Sequence, residues 1–240
     1  LTTGYPSDNC SSLAAWVEDS GGPPYALLVT PAVNGQTGVS AAANVVLDVY
    51  DVGVGLDPAT TKLEVKIGDG DWYTIWENED DLPGYVVTTA PIAGGLRYTI
   101  NPAVNFPDWT VIQLRITAAD LSTNSITVTR SFRTRDVLTP MLGGESPTGE
   151  AAPGSPIMRF ALRDSQSGLK LSTLQVALVV NAAPPVALIV NGVVQTPAGY
   201  RVALTGNDSR RAVQVRPNLA FSEGDQVTVN IDVEDNEVFT

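Results

Sequence analysis

Residues 51–68, "DVGVGLDPATTKLEVKIG", and residues 164–181, "DSQSGLKLSTLQVALVVN", follow one plan. Each opens on Asp, passes through Gly-Leu four residues on, and reaches a step of Thr, Leu and Val before an alternating apolar run. Later anchors extend the match. Pro102 and Phe106 of "YTINPAVNF" correspond to Pro217 and Phe221 of "VQVRPNLAF". Ile116 and Asp120 of "LRITAAD" correspond to Ile231 and Asp235 of "VNIDVED". These four pairs are all 115 residues apart, and Asp51/Asp164 and Gly55/Gly168 are 113 apart, a drift that small loop insertions explain. A period this long is a duplicated domain rather than a solenoid repeat.

Strict apolar/polar alternation marks "NVVLDVYD", "KLEVKI", "TVIQLRITAAD", "SITVTRSF", "RAVQVRP" and "DQVTVNIDVED". Val, Ile and Thr fill these runs, and Gly, Pro, Asn and Asp punctuate them. No segment carries a helical apolar period for three turns. The chain is therefore expected to be all-β, with antiparallel strands that each turn one apolar face to a sandwich core. Asp51/Asp164 and Gly55/Gly168 read as one bend in two copies. Gly takes a backbone angle that other residues resist, and Asp caps the turn.

The chain has no His, which excludes Ser-His-Asp and Cys-His catalysis and imidazole metal ligation. A net charge of −12 with only 14 basic residues repels phosphate backbones, so nucleic acid is not an expected partner. No run of 18 apolar residues is present, so no membrane insertion is expected. Cys10 is the only cysteine and reads as a small buried hydrophobe. Neither Gly-x-Ser-x-Gly nor a phosphate-cradling Gly-rich loop is present. No catalytic residues are assigned, and an enzyme is not expected.

Residues 31–65, "PAVNGQTGVSAAANVVLDVYDVGVGLDPATTKLEV", open with a Pro-x-x-x-Gly-x-x-Gly-Val step, followed by the Asp-x-x-x-Gly-Leu bend and a Thr-x-Leu-x-Val strand. "ITAADLSTN" adds a late turn with Asp120 and Asn124. Together these resemble the immunoglobulin-like (cadherin-like) domains of bacterial surface and phage virion proteins. The resemblance covers residues 31–136 well and residues 140–235 less well, because "PMLGGESPTGEAAPGS" lacks the Gly-Val step. It implies two tandem immunoglobulin-like β-sandwiches: residues 1–30 as a lead-in or the end of a preceding domain, 31–137 as the first domain, and 138–240 as the second. In the first copy, Asp120 is followed by a further alternating strand within "LSTNSITVTRSFRTRD", whereas Asp235 is followed only by "NEVFT". The second sandwich is thus expected to lack its last strand, supplied by chain beyond Thr240 or by a partner through strand addition.

Two local features are candidate sites. Trp72 and Trp76 share one face of "GDGDWYTIWENEDD" if the alternation is unbroken, with Glu77, Glu79, Asp80 and Asp81 beside them. Paired indoles next to carboxylates make a sugar-stacking platform, while the structural alternative is one Trp in the core and an acidic hairpin tip. "DGD" fails the EF-hand spacing, since Tyr73 stands where an oxygen ligand belongs. Asp51, Asp120 and Asp136 could instead converge on calcium near a domain end. No metal or other cofactor is expected to be required, calcium being the single candidate. The expected function is a non-enzymatic structural or attachment component of an extended extracellular assembly. A phage virion part (tail, capsid or fibre) comes first, and a bacterial secreted adhesin or S-layer fragment is the alternative. A carbohydrate-binding accessory module of a polysaccharide-degrading enzyme is the reading from another class. Expected partners are other structural proteins of the assembly, copies of the chain itself, and a surface glycan.

Overall fold

The computed structural model describes residues 22–149 and 154–237. Among them there is no helix, and the fold is all-β. No helix is long and apolar enough to cross a membrane. Cys10 lies outside the described residues. The chain divides between Arg135 and Asp136 into two compact units.

The first unit holds β1 (Tyr25–Thr30), β2 (Gln36–Val39), β3 (Val45–Tyr50), β4 (Leu56–Ile67), β5 (Tyr73–Glu77), β6 (Asp80–Asp81), β7 (Tyr85–Ile92), β8 (Gly95–Pro102), β9 (Val111–Asp120) and β10 (Ser125–Thr134). One sheet runs β1-β3-β8-β7 and the other β2-β10-β9-β4-β5-β6. Val45, Leu47 and Val49 of β3 meet Leu63 and Val65 of β4 and Ile112, Leu114 and Ile116 of β9 in one core. All pairings are antiparallel except that of β2 with β10, which is parallel. β1 pairs with β3 and buries Ala26, so the segment expected as lead-in contributes a strand to this sandwich. The sequence Gly-Gly-Pro-Pro at 21–24 reads as a joint, yet the strand begins directly after it.

The second unit holds β11 (Met141–Ser146), β12 (Met158–Arg163), β13 (Leu169–Val180), β14 (Val186–Val190), β15 (Val193–Val194), β16 (Tyr200–Asn207), β17 (Arg210–Pro217) and β18 (Val227–Asp235). Its sheets run β11-β12-β17-β16 and β15-β14-β13-β18, all antiparallel. Phe160, Leu162, Leu174, Val176, Leu178 and Val213 form its centre.

Both units use the same bend to pass from one sheet to the other, as the duplication predicts. The Asp51 carboxylate accepts from the N–H groups of Gly53 (3.1 Å) and Gly55 (2.7 Å) between β3 and β4. Asp164 accepts from Gln166 (2.8 Å) and Gly168 (3.2 Å) between β12 and β13. Gly55 and Gly168 have φ of 97° and 85°, in the region that disfavours a Cβ. The register beyond the bend also matches: Leu56 pairs with Asp120, and Leu169 with Asp235.

The units differ at one edge. In the first, β10 covers β9 and buries Phe132, whose ring packs edge-on against Phe106 at 5.7 Å. In the second, β18 pairs with β13 alone among the described residues, and an open groove of 1120 Å³ runs along it, lined in part by Phe160, Phe221, Val227 and Ile231. An unpaired edge was expected here. Its cost is visible in the packing. Ile116 is fully buried while its counterpart Ile231 is only partly covered, and Phe106 is buried while Phe221 is half-buried. Phe106→Ala should therefore cost about 3–5 kcal/mol in urea unfolding, and Phe221→Ala less than half as much. Equal losses would mean that the open edge leaves Phe221 as well packed as Phe106.

Candidate functional site

Two acid–arginine pairs brace the sheets of the first unit. On the outer face of the first unit's four-stranded sheet, Asp48 and Arg97 lie directly opposite on β3 and β8. The guanidinium donates to both carboxylate oxygens (2.7 and 2.8 Å), and Tyr50 donates its hydroxyl to the same group. On the other sheet, Glu64 and Arg115 lie opposite on β4 and β9 and form the same two-pronged pair (2.6 and 2.8 Å). Such pairs are shorter and stronger than neutral hydrogen bonds. The hydrogen bonds from Arg97 hold the Asp48 carboxyl below its ordinary value, against the opposing effect of burial. Arg115 does the same for Glu64, also against burial.

Lowered folded-state values mean that both pairs stabilise the fold above the ordinary values of 3.8 and 4.5 and lose that contribution as pH falls through the folded values. Thermal unfolding followed from pH 6 to about pH 2 should show Tm falling steeply below about pH 4. The fall should be shallower in an Asp48→Asn, Glu64→Gln double variant. An identical profile in both would remove these pairs as the cause.

The two tryptophans do not form one platform. A β-bulge between Leu63 and Glu64 on β4 leaves Ile75 as the extra residue on β5. That extra residue breaks the alternation on which a shared face depends. Trp76 consequently enters the core, where its ring meets Tyr98 edge-on at 6.1 Å. Trp72 falls on the opposite face, with the Arg115 guanidinium over its ring at 4.4 Å. The alternation was legible in sequence; the bulge was not.

The acids expected to converge are divided differently. Asp51 and Asp120 belong to the first unit, and each anchors a turn. Asp120 accepts from the N–H groups of Ser122 (2.9 Å) and Asn124 (2.8 Å) and from the Asn124 amide (2.8 Å). Asp136 instead gathers with Asp164 and Asp235, the second unit's counterparts of Asp51 and Asp120. One carboxylate oxygen from each of the three lies within 4.8 Å of the others. All three residues are buried. The fold brings them together from the segment before β11, the β12–β13 bend and the end of β18.

Asp136 accepts from Leu138 N–H (2.7 Å) and Ser167 N–H (2.6 Å), and its own N–H donates to Glu237. Asp235 accepts from Glu237 N–H (3.1 Å). Burial, with the charges of Asp136, Asp164 and Glu234, pushes the Asp235 carboxyl above its ordinary value, against the pull of that N–H. None of these three acids takes part in a salt bridge among the described residues. The arrangement concentrates negative charge in a dry place. Sequence reasoning found Asp136 and the bend role of Asp164. It missed their meeting with Asp235, because the three lie far apart in the chain and only the sheet crossings join them.

No protein-family model and no curated protein sequence matches this chain.

Proposed function

We propose that the chain is a non-enzymatic structural or attachment component of an extended extracellular assembly, built from immunoglobulin-like sandwiches in series, with a phage virion as its setting. The observation that supports this best is how the residues capable of chemistry are used. The bend aspartates hold turns between sheets, the acid–arginine pairs brace strands, and Trp76 packs the core. The same scaffold is built twice, and repetition of a rigid module serves reach and presentation. The open edge of β18 is a surface on which a further strand can pair, which suits a component of a larger structure.

Immunogold electron microscopy with antibodies raised against the chain tests this reading, using phage particles and cells from cultures that carry the gene. Label on the particles is the expected result. Label confined to the bacterial envelope would favour the adhesin alternative, and label confined to the cell interior would overturn the proposal.

A further inference from the structure

We propose that Asp136, Asp164 and Asp235 of the second unit bind a divalent cation, Ca²⁺ in preference to Mg²⁺. The inference goes beyond the assembly reading and does not depend on it. Three features carry it.

The first is spacing. Calcium sits at about 2.4 Å from oxygen ligands, so one ion can touch oxygens up to about 4.8 Å apart; Mg²⁺ dehydrates reluctantly and is seldom held by a cage of protein oxygens alone, which favours Ca²⁺ where carboxylates from three segments meet. The three carboxylate oxygens lie within 4.8 Å of one another. The second is charge. Three buried carboxylates without a basic partner among the described residues are costly unless something positive compensates them.

The third is an oxygen with nothing to bond. Asp164 is 3% exposed. Its Oδ1 is occupied by the bend, and its Oδ2 is buried with no hydrogen-bond partner among the described residues. Buried polar atoms are rarely left so; Asp51 Oδ1, its counterpart in the first unit, is another, but among the described residues no group of three acids forms around it. Beside Asp164, Ser167 Oγ and Glu237 Oε1 are also buried and unpartnered. Ser167 is tied to Asp136 through its N–H, and Glu237 to Asp136 and Asp235. All the donors are oxygens, the ligand type of a hard cation. In the first unit the corresponding Asp120 is engaged by the Asn124 amide, and the proposal is confined to the second.

The test is isothermal titration of the full chain, stripped with EDTA, with CaCl₂ and separately with MgCl₂. It is repeated on Asp136→Asn, Asp164→Asn, Asp235→Asn and, as a control, Glu234→Gln, an exposed acid paired with Lys170. Wild type should bind Ca²⁺ saturably and gain about 5 °C or more in Tm at saturation. Each Asn variant should lose at least about tenfold in affinity, and Glu234→Gln should bind as wild type does. Asparagine keeps an acceptor oxygen for the bend, and far-UV circular dichroism checks that each variant folds. If Asp164→Asn fails to fold, Asp235→Asn decides the matter. Absence of saturable Ca²⁺ binding, undiminished binding in the folded Asn variants, or an equal loss in Glu234→Gln would overturn the site. Mg²⁺ binding as tight as Ca²⁺ would overturn the choice of ion.

Discussion

A buried aspartate that accepts two backbone N–H groups holds the step from one sheet to the other, and both units depend on it. The chain leaves β3 in one layer and enters β4 in the facing layer within a few residues. No strand is there to receive the amides of such a bend. The carboxylate of Asp51 takes that place, as Asp164 does between β12 and β13. An ionised acceptor makes each such hydrogen bond stronger than a neutral one. With the bend set, Leu56 and Leu169 fall opposite Asp120 and Asp235, and in both copies the strand then shifts register, between Asp57 and Lys62 of β4 and between Lys170 and Gln175 of β13, before its inward-facing residues pair.

This constraint was legible because it is local. Asp, Gly and the alternating run lie within about fifteen residues of each other in both copies, and the chemistry of each residue type dictates its place. Ile116 was legible as an apolar position in a strongly alternating strand, and Phe106 through the Pro-x-x-x-Phe step that repeats at Phe221. What escaped was set by neighbours distant in sequence. The extra residue at Ile75 exists because β5 bulges against β4, and it sends Trp76 and Trp72 to opposite faces. The strand of β1 escaped because it follows directly on a Gly-Gly-Pro-Pro stretch that signals a joint. The parallel pairing of β2 with β10 leaves no mark on either strand's own pattern.

The same division runs through the acidic residues. A net charge of −12 reads in sequence as a solvated surface, yet several carboxylates are buried. Asp48 and Glu64 are compensated by arginines on the opposing strands, a pairing that follows once register is known. Among the described residues Asp136, Asp164 and Asp235 have no such compensation, and Asp164 keeps an oxygen without a hydrogen-bond partner. Three separate segments of the second unit bring these acids together, and the proposed cation answers that imbalance of charge.

The claim that the aspartate-held bend organises each sandwich is tested most directly by urea unfolding of Asp51→Ala beside Asp57→Ala. Asp57 accepts a single, longer hydrogen bond, from Ala59 at 3.2 Å, in an exposed setting. Losing two charge-assisted bonds in a buried bend should cost about 2–4 kcal/mol. The Asp57 change should cost no more than about 0.5 kcal/mol, within the range of surface substitutions. Equal, small losses in both variants would contradict the account and show that the sheets set the bend rather than the reverse.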